Sequence, residues 1–325
     1  MGTVILGTGS SLPKKTMSNF DLEQIVDTSD EWIRTRTGIE NRRIGGKGEK
    51  TYQLAAQAAR NALQMAGVEA SELDLIVVGT ISSHMIMPSC ACYVQAEIGA
   101  DNAFAYDVNA ACSGFLYGLD IADKQIRADR QAKILVIGAE TLSTRLNWQD
   151  RNTCILFGDG AGAAVLGYSE EEQREIIGTN HQSDGSLWDL LYMHNAPSMN
   201  PDLRVENDGD SVIVMEGREV FKHAVKAMED SITGLFEKTG LGIEDVDLMI
   251  PHQANMRILN KVIERLNFPI EKVFLNVKNY GNTSAASIPI ALDESNRDEK
   301  MKRGDVLLFC AFGGGLTWGS TLLRW

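Results

Sequence analysis

Four short apolar runs punctuate the chain: 73–80 (LDLIVVGT), 133–138 (KILVIG), 246–250 (VDLMI) and 305–310 (DVLLFC). Each is continuous and rich in Val, Ile and Leu. That pattern predicts strands buried on both faces, as in α/β proteins. Between them, 52–66 (YQLAAQAARNALQMA) and 220–238 (VFKHAVKAMEDSITGLFEK) carry apolar residues at helical spacing and predict amphipathic helices. The opening MGTVILGTGSSLP has no basic segment and reads as a strand and turn rather than a signal peptide. The polar stretch 169–186 is the expected seam between halves, and 194–211 is expected to form a surface loop or hairpin.

The chain carries an internal repeat. GVEASELDLIVV (67–78) resembles GLGIEDVDLMIP (240–251), and Asp74 and Asp247 each follow their glycine by seven residues. Gly158, Gly162 and Leu166 share their spacing with Gly315, Gly319 and Leu323. Two matches in the same order point to a duplicated α/β unit, with halves expected at 1–172 and 173–325. A doubled unit brings equivalent loops to one crevice, beyond the carboxyl ends of the strands.

Composition narrows the classes. Of 325 residues, 44% are hydrophobic and 23% charged, as in ordinary globular proteins. No apolar run is long enough for a membrane span. The net charge of −13 argues against general nucleic-acid binding and against anionic membranes. Five cysteines, an odd number, predict free thiols in a reducing cytoplasm.

Four places offer chemistry. Cys112, in NAACSGF, lies between a strand-like run (104–108) and an apolar helical stretch from Gly114. A thiol at a helix start is expected to have its pKa lowered, whereas a lone buried cysteine only packs. Cys90, Cys92, Cys154 and Cys310 are read as packing residues, and Cys90-Ala91-Cys92 near His84 has poor metal spacing. His252, in PHQAN, directly follows a strand and is expected to point into the crevice; the other four histidines have no such setting. Asn282, in YGNTSAAS, is either an amide donor or a helix cap. Gly313-Gly314-Gly315 lets backbone N–H groups approach a ligand. GDGAGAA (158–164) fits a loosened dinucleotide pattern, but the AAVLGY after it is too short and apolar for the required helix. Cys, His and Asn together admit a papain-like hydrolase or a thioester-using condensing enzyme.

Longer motifs carry a resemblance. DTSDEWIRTRTGIENRRI (27–44), AACSGF (110–115), DRNTCILFGDGAGAAVL (150–166), EVFK (219–222), PHQANMRI (251–258), GNTSAAS (281–287) and AFGGGLTWGS (311–320) resemble the β-ketoacyl-acyl-carrier-protein synthase III family of the thiolase-like superfamily. The match covers essentially the whole chain. It implies a five-layered αβαβα fold of two duplicated halves, a cytoplasmic homodimer and an acyltransferase without a cofactor or metal. The implied reaction joins a short acyl-CoA to malonyl-acyl carrier protein, releasing CO2 and CoA, to start fatty-acid synthesis. Alternatives are the same scaffold in secondary metabolism, as in polyketide priming or head-to-head condensation, or a Cys-His-Asn thioester hydrolase.

By the same resemblance Cys112 is the acylated nucleophile, and His252 and Asn282 hold the malonyl carbonyl. The N–H groups of Cys112 and Gly314 form the oxyanion hole. Thr28, Trp32, Arg36, Arg151, Phe221 and Asn255 match positions around CoA, with Trp32 and Arg151 flanking the adenine. Met87, Leu142, Phe157, Met215 and Phe312 match or border the acyl pocket. Met87 is expected to come from the partner subunit and stands where many relatives carry Phe; its flexibility suits a longer or branched acyl group. Lys222 and Arg257 match carrier-protein docking positions. Spacing extends that face to Lys261 and Arg265, the stripe Arg257-Lys261-Arg265 backed by Ile258, Leu259, Val262, Ile263 and Leu266.

Overall fold

The computed structural model describes residues 1–171, 174–196, 199–200, 202 and 211–325. The loop expected over 194–211 lies mostly outside these, as do residues 172 and 173 at the expected boundary between halves.

The predicted strands form at Leu75–Gly79, Ile134–Thr141, Leu248–Pro251 and Val306–Gly313. A five-stranded sheet has the order Gly2–Ser11, Asp159–Ser169, Ile134–Thr141, Leu75–Gly79, Phe104–Val108. A four-stranded sheet has the order Leu248–Pro251, Val306–Gly313, Thr317–Arg324, Glu175–Ser183. The two share a pairing pattern. Leu75–Gly79 pairs in parallel with Ile134–Thr141, as Leu248–Pro251 does with Val306–Gly313, and two antiparallel strands follow in each.

The repeated aspartates explain the repeated motif. Asp74 accepts from the Lys133 N–H at 2.8 Å and donates its own N–H to Lys133 O at 2.9 Å. Asp247 makes the same two bonds with Val306, both at 2.9 Å. Each clips the start of one parallel strand to its neighbour.

Strand periodicity divides the core. Leu75, Val77, Ile134 and Val136 point to one apolar cluster, and Ile76, Val78, Leu135 and Ile137 to another. Leu307 and Phe309 join the first cluster from the second sheet, while Leu308 and Cys310 face a third. The shared cluster is the middle layer, where Gly114–Ala128 and Ser287–Arg297 lie between the sheets. Ser287 through Asp293 are buried on every side, as a helix sandwiched by two sheets requires. Thr51–Ala66 covers the outer face of the first sheet, and Gly217–Thr239 that of the second with Met256–Leu266 packed on it. The layers are αβαβα.

One expectation needs correction. The polar stretch 169–186 is not a linker for most of its length; Glu175–Ser183 is the edge strand of the second sheet. An edge strand has one exposed flank and tolerates polar residues, which is why its pattern misleads.

Candidate active site

Cys112, His252 and Gly314 all lie just beyond, or at, the carboxyl ends of strands, and Asn282 joins them from the turn before a middle-layer helix. All four line one cavity of about 740 Å³. Its floor is buried: Cys112 is 8% exposed, His252 2% and Asn282 7%.

Cys112 sits in a single 3-10 turn, Ala111–Ser113, ahead of the helix from Gly114. The lowered pKa expected at a helix start is not found. Burial dominates and pushes the thiol up to about 12, opposed by the Ser284 hydroxyl and raised further by Glu140. Gly313 lies against the Cys112 backbone; a Cβ there would stand 2.6 Å from the Cys112 nitrogen. Only glycine permits that approach.

His252 is neutral, because burial lowers its pKa to about 3. Its Nδ1 lies 2.6 Å from Ser287 Oγ. The same hydroxyl oxygen accepts the Gln253 N–H at 3.4 Å. With the Ser287 hydroxyl donating to Nδ1, the ring proton would stand on Nε2. A neutral imidazole with Nε2–H donates a hydrogen bond without titrating near neutral pH.

Asn282 is not a helix cap, since Thr283 precedes the turn Ser284–Ala286 and Ala286 precedes the helix Ser287–Arg297. Asn282 Oδ1 accepts the Ser284 N–H at 2.8 Å, closing the turn. With the oxygen occupied, the NH2 end is the donor left for the cavity. Its backbone is pinned on both sides by the first half: Asn282 N donates to Leu156 O at 2.8 Å, and Gly158 N donates to Asn282 O at 3.0 Å. Ala111 and Ser284 flank this centre in left-handed conformations, φ +44° and +49°. Non-glycine residues there cost roughly 1–3 kcal/mol each, strain concentrated where the two halves meet.

The other expected positions divide. Leu142, Phe157, Met215 and Phe312 line the cavity with Cys112, His252, Asn282 and Gly314. Trp32, Arg36, Phe221, Lys222, Asn255 and Arg257 line it too, and Arg36, Lys222 and Arg257 are exposed at its rim. Sequence reasoning missed Arg218, a further exposed cation on that rim. The guanidinium carbons of Arg36 and Arg151 lie 4.7 and 5.0 Å from the Trp32 ring centroid. Asn255 caps the helix Met256–Leu266 through the Ile258 N–H at 3.0 Å. Thr28, Met87 and Arg151 do not line the cavity; the Thr28 hydroxyl is buried without a partner among the described residues, and Met87 is 83% exposed. Arg257, Lys261 and Arg265 form the expected exposed stripe over five buried apolar residues. Lys261 pairs with Glu264 at 2.9 Å and Arg265 with Glu229 at 3.0 Å. The Arg257 guanidinium lies over Phe221 at 5.7 Å.

Sequence reasoning also passed over Ser287, although its motif was noted. Ser287→Ala removes the Nδ1 partner and is expected to slow decarboxylation of a malonyl thioester about tenfold, the worth of one hydrogen bond. Measured CO2 release at the wild-type rate would contradict the tautomer assignment.

Comparisons with known proteins agree across the chain. Residues 106–185 match the model for 3-Oxoacyl-[acyl-carrier-protein (ACP)] synthase III, and 236–325 match the model for its C-terminal part. The Beta-ketoacyl-[acyl-carrier-protein] synthase III of Desulfotalea psychrophila is 58% identical over the full length of both chains, and that of Aquifex aeolicus 52%. The crystal structure of the Aquifex aeolicus enzyme superposes with TM-score 0.93 over both whole chains at 51% identity. A priming β-ketosynthase of the R1128 polyketide pathway is 35% identical, with TM-score 0.91 over 99% of this chain and 96% of that one. By sequence and by fold, the chain belongs to the β-ketoacyl-[acyl-carrier-protein] synthase III family.

Proposed function

We propose that this condensing enzyme transfers a short acyl group from CoA to Cys112 and then joins it to malonyl-acyl carrier protein, yielding β-ketoacyl-carrier protein, CO2 and CoA. The observation that carries this reading is the convergence of Cys112, neutral His252 and the Asn282 amide on one buried cavity with a cationic rim.

Each group has a task. The Cys112 sulfur attacks the acyl-CoA carbonyl and forms a new thioester. The N–H groups of Cys112 and Gly314 hold the oxyanion. The malonyl thioester carbonyl then receives hydrogen bonds from His252 Nε2 and Asn282 Nδ2. These stabilise the enolate left when CO2 departs, so no strong base is required. The enolate carbon attacks the acyl-Cys112 carbonyl and expels the cysteine sulfur. Burial keeps water from the thioester. The chemistry draws on thioester energy and calls for no cofactor or metal.

Leu142, Phe157, Met215 and Phe312 surround the acyl chain, Arg36 and Arg218 receive the phosphates of CoA, and Lys222 and Arg257 meet the carrier protein. Thr28, Phe221 and Asn255 complete the CoA contacts. Adenine enters between Trp32 and Arg151, which must part to about 7 Å to admit a stacked base. The strand Phe104–Val108 is a sheet edge, and Met85, Ile86, Met87 and Phe104 are exposed apolar residues. Such an edge with apolar neighbours supports a homodimer, with Met87 reaching the partner's acyl pocket. The halves are 1–172 and 173–325. No described helix is long and apolar enough to cross a membrane, and the enzyme works in the cytoplasm.

Arg257, Lys222, Lys261 and Arg265 supply the basic face for an acidic carrier. Arg257→Glu is expected to lower condensation with malonyl-carrier protein about tenfold while Cys112 acylation by acyl-CoA persists. Equal loss of both steps would contradict the docking role. The function as a whole is tested by incubating the protein with acyl-CoAs and malonyl-carrier protein. Release of free acid instead of a β-ketoacyl product would favour a hydrolase.

A further inference from the structure

Gln253 directly follows His252 and is buried, and the mechanism above leaves it without a task. Its carboxamide uses every hydrogen-bonding position it has. Nε2 donates to Pro251 O at 2.9 Å and to Phe274 O at 3.1 Å. Oε1 accepts the N–H groups of Asn276 and Val277, at 3.0 and 3.1 Å. Phe274, Asn276 and Val277 belong to the stretch that leads into the turn Val277–Tyr280 and so to Asn282. Pro251 ends the strand Leu248–Pro251 and immediately precedes His252.

The same two neighbours hold the far end of that segment. Ser287 Oγ lies 2.6 Å from His252 Nδ1 and accepts the Gln253 N–H at 3.4 Å. The His252-Gln253 pair therefore grips residues 276–287 at both ends, Gln253 at the start and His252 at the finish, with Asn282 midway. Glu294, on the middle-layer helix, steadies the start from another side, accepting from Asn276 Nδ2 at 2.7 Å and from the Tyr280 hydroxyl at 3.0 Å. Within the segment the Gly281 N–H donates to Val277 O at 2.9 Å, so a shift of Val277 is passed to the residue before Asn282. The bonds of Asn282 to Leu156 and Gly158 tie it to the first half; Gln253 and Ser287 tie its segment to His252.

We propose that Gln253 is a positioning residue for decarboxylation: its carboxamide holds the start of the 276–287 segment in register with His252, so that the His252 and Asn282 donors meet one carbonyl oxygen. This rests on the reading of His252 and Asn282 as paired donors to the malonyl thioester. Two donors on separate elements stabilise a single developing charge only when both reach it. His252 ends a strand and Asn282 sits in a turn, so their convergence is set by the bonds between those elements. Gln253 touches no reacting atom. Acylation of Cys112 relies on the N–H groups of Cys112 and Gly314, so Gln253 bears on one half of the reaction and not on the other.

The test measures CO2 release from malonyl-carrier protein beside Cys112 acylation by acetyl-CoA, in Gln253→Glu and wild type at a series of pH values. Glutamate keeps an oxygen for the Asn276 and Val277 N–H groups. Its second oxygen repels the Pro251 and Phe274 carbonyls when ionised and donates to one of them when protonated. Relative to wild type at the same pH, decarboxylation should fall roughly tenfold to a hundredfold at alkaline pH. It should recover in part as the pH falls and the buried carboxyl takes up its proton. Acylation should persist throughout. In an Asn282→Ala background Gln253→Glu should change CO2 release by less than about twofold, because no pair of donors remains to be aligned. Glu294→Ala, which frees the same segment from its other support, should show the same split at smaller amplitude. Wild-type CO2 release by Gln253→Glu at every pH would overturn the proposal. So would parallel loss of both steps, or an undiminished effect in the Asn282→Ala background, either of which marks a purely structural amide. Should Gln253→Glu not fold, Glu294→Ala decides alone, and equal effects on both steps, or none, overturn the proposal. CO2 release at the wild-type rate by Asn282→Ala itself would instead overturn the paired-donor reading.

Discussion

Cys112→Ala is expected to lower condensation by more than ~10³-fold, because Cys112 is the one thiol among the described residues that line the cavity. The effect should be confined to acyl transfer. His252 is positioned by Ser287 and the Asn282 side chain by Ser284 N–H, contacts that do not involve the sulfur. Decarboxylation of malonyl-carrier protein should therefore continue and yield acetyl-carrier protein in place of the β-ketoacyl product. Alanine removes one buried sulfur and no hydrogen-bond partner of that pair, so the fold should persist. The measurement is parallel assay of CO2 release and β-ketoacyl product. Wild-type condensation by the alanine variant would remove Cys112 from the mechanism.

Asn282→Asp should produce the opposite split. Aspartate keeps an oxygen for the Ser284 N–H, so the turn that presents the residue is retained. It replaces the NH2 donor with an acceptor and places negative charge where the enolate oxygen develops. Loss of one such donor costs about 10²–10³-fold in rate, and the added repulsion acts in the same direction. Decarboxylation should fall by at least that much, while the acyl-Cys112 adduct still forms. Quenched-flow measurement of the adduct beside CO2 release separates the steps. Normal turnover of the malonyl thioester would refute the role of Asn282.

Sequence patterning reveals the scaffold because a doubly covered sheet demands continuous apolar strands, and four such runs lie on the predicted elements. The cavity was legible where unusual residue types follow strands, as with Cys112 and His252. Pairwise geometry was not. The hydrogen bond from Ser287 that sets the His252 tautomer, and the left-handed backbone of Ala111 and Ser284, arise only when the halves meet. Ala and Ser carry no local signal for that conformation. The thiol expectation failed for a similar reason: position at a helix start is visible in the chain, whereas full desolvation, which outweighs it, is a property of the assembled cavity.

The central claim is that one cysteine carries the acyl group between two substrates. Its direct test is a single-turnover chase: acyl-CoA alone, mass analysis of the peptide containing Cys112, then addition of malonyl-carrier protein. An acyl adduct on Cys112 that disappears as β-ketoacyl-carrier protein forms at the same rate is the expected result. A product that forms with no adduct on that peptide, or an adduct that malonyl-carrier protein leaves untouched, would contradict the account.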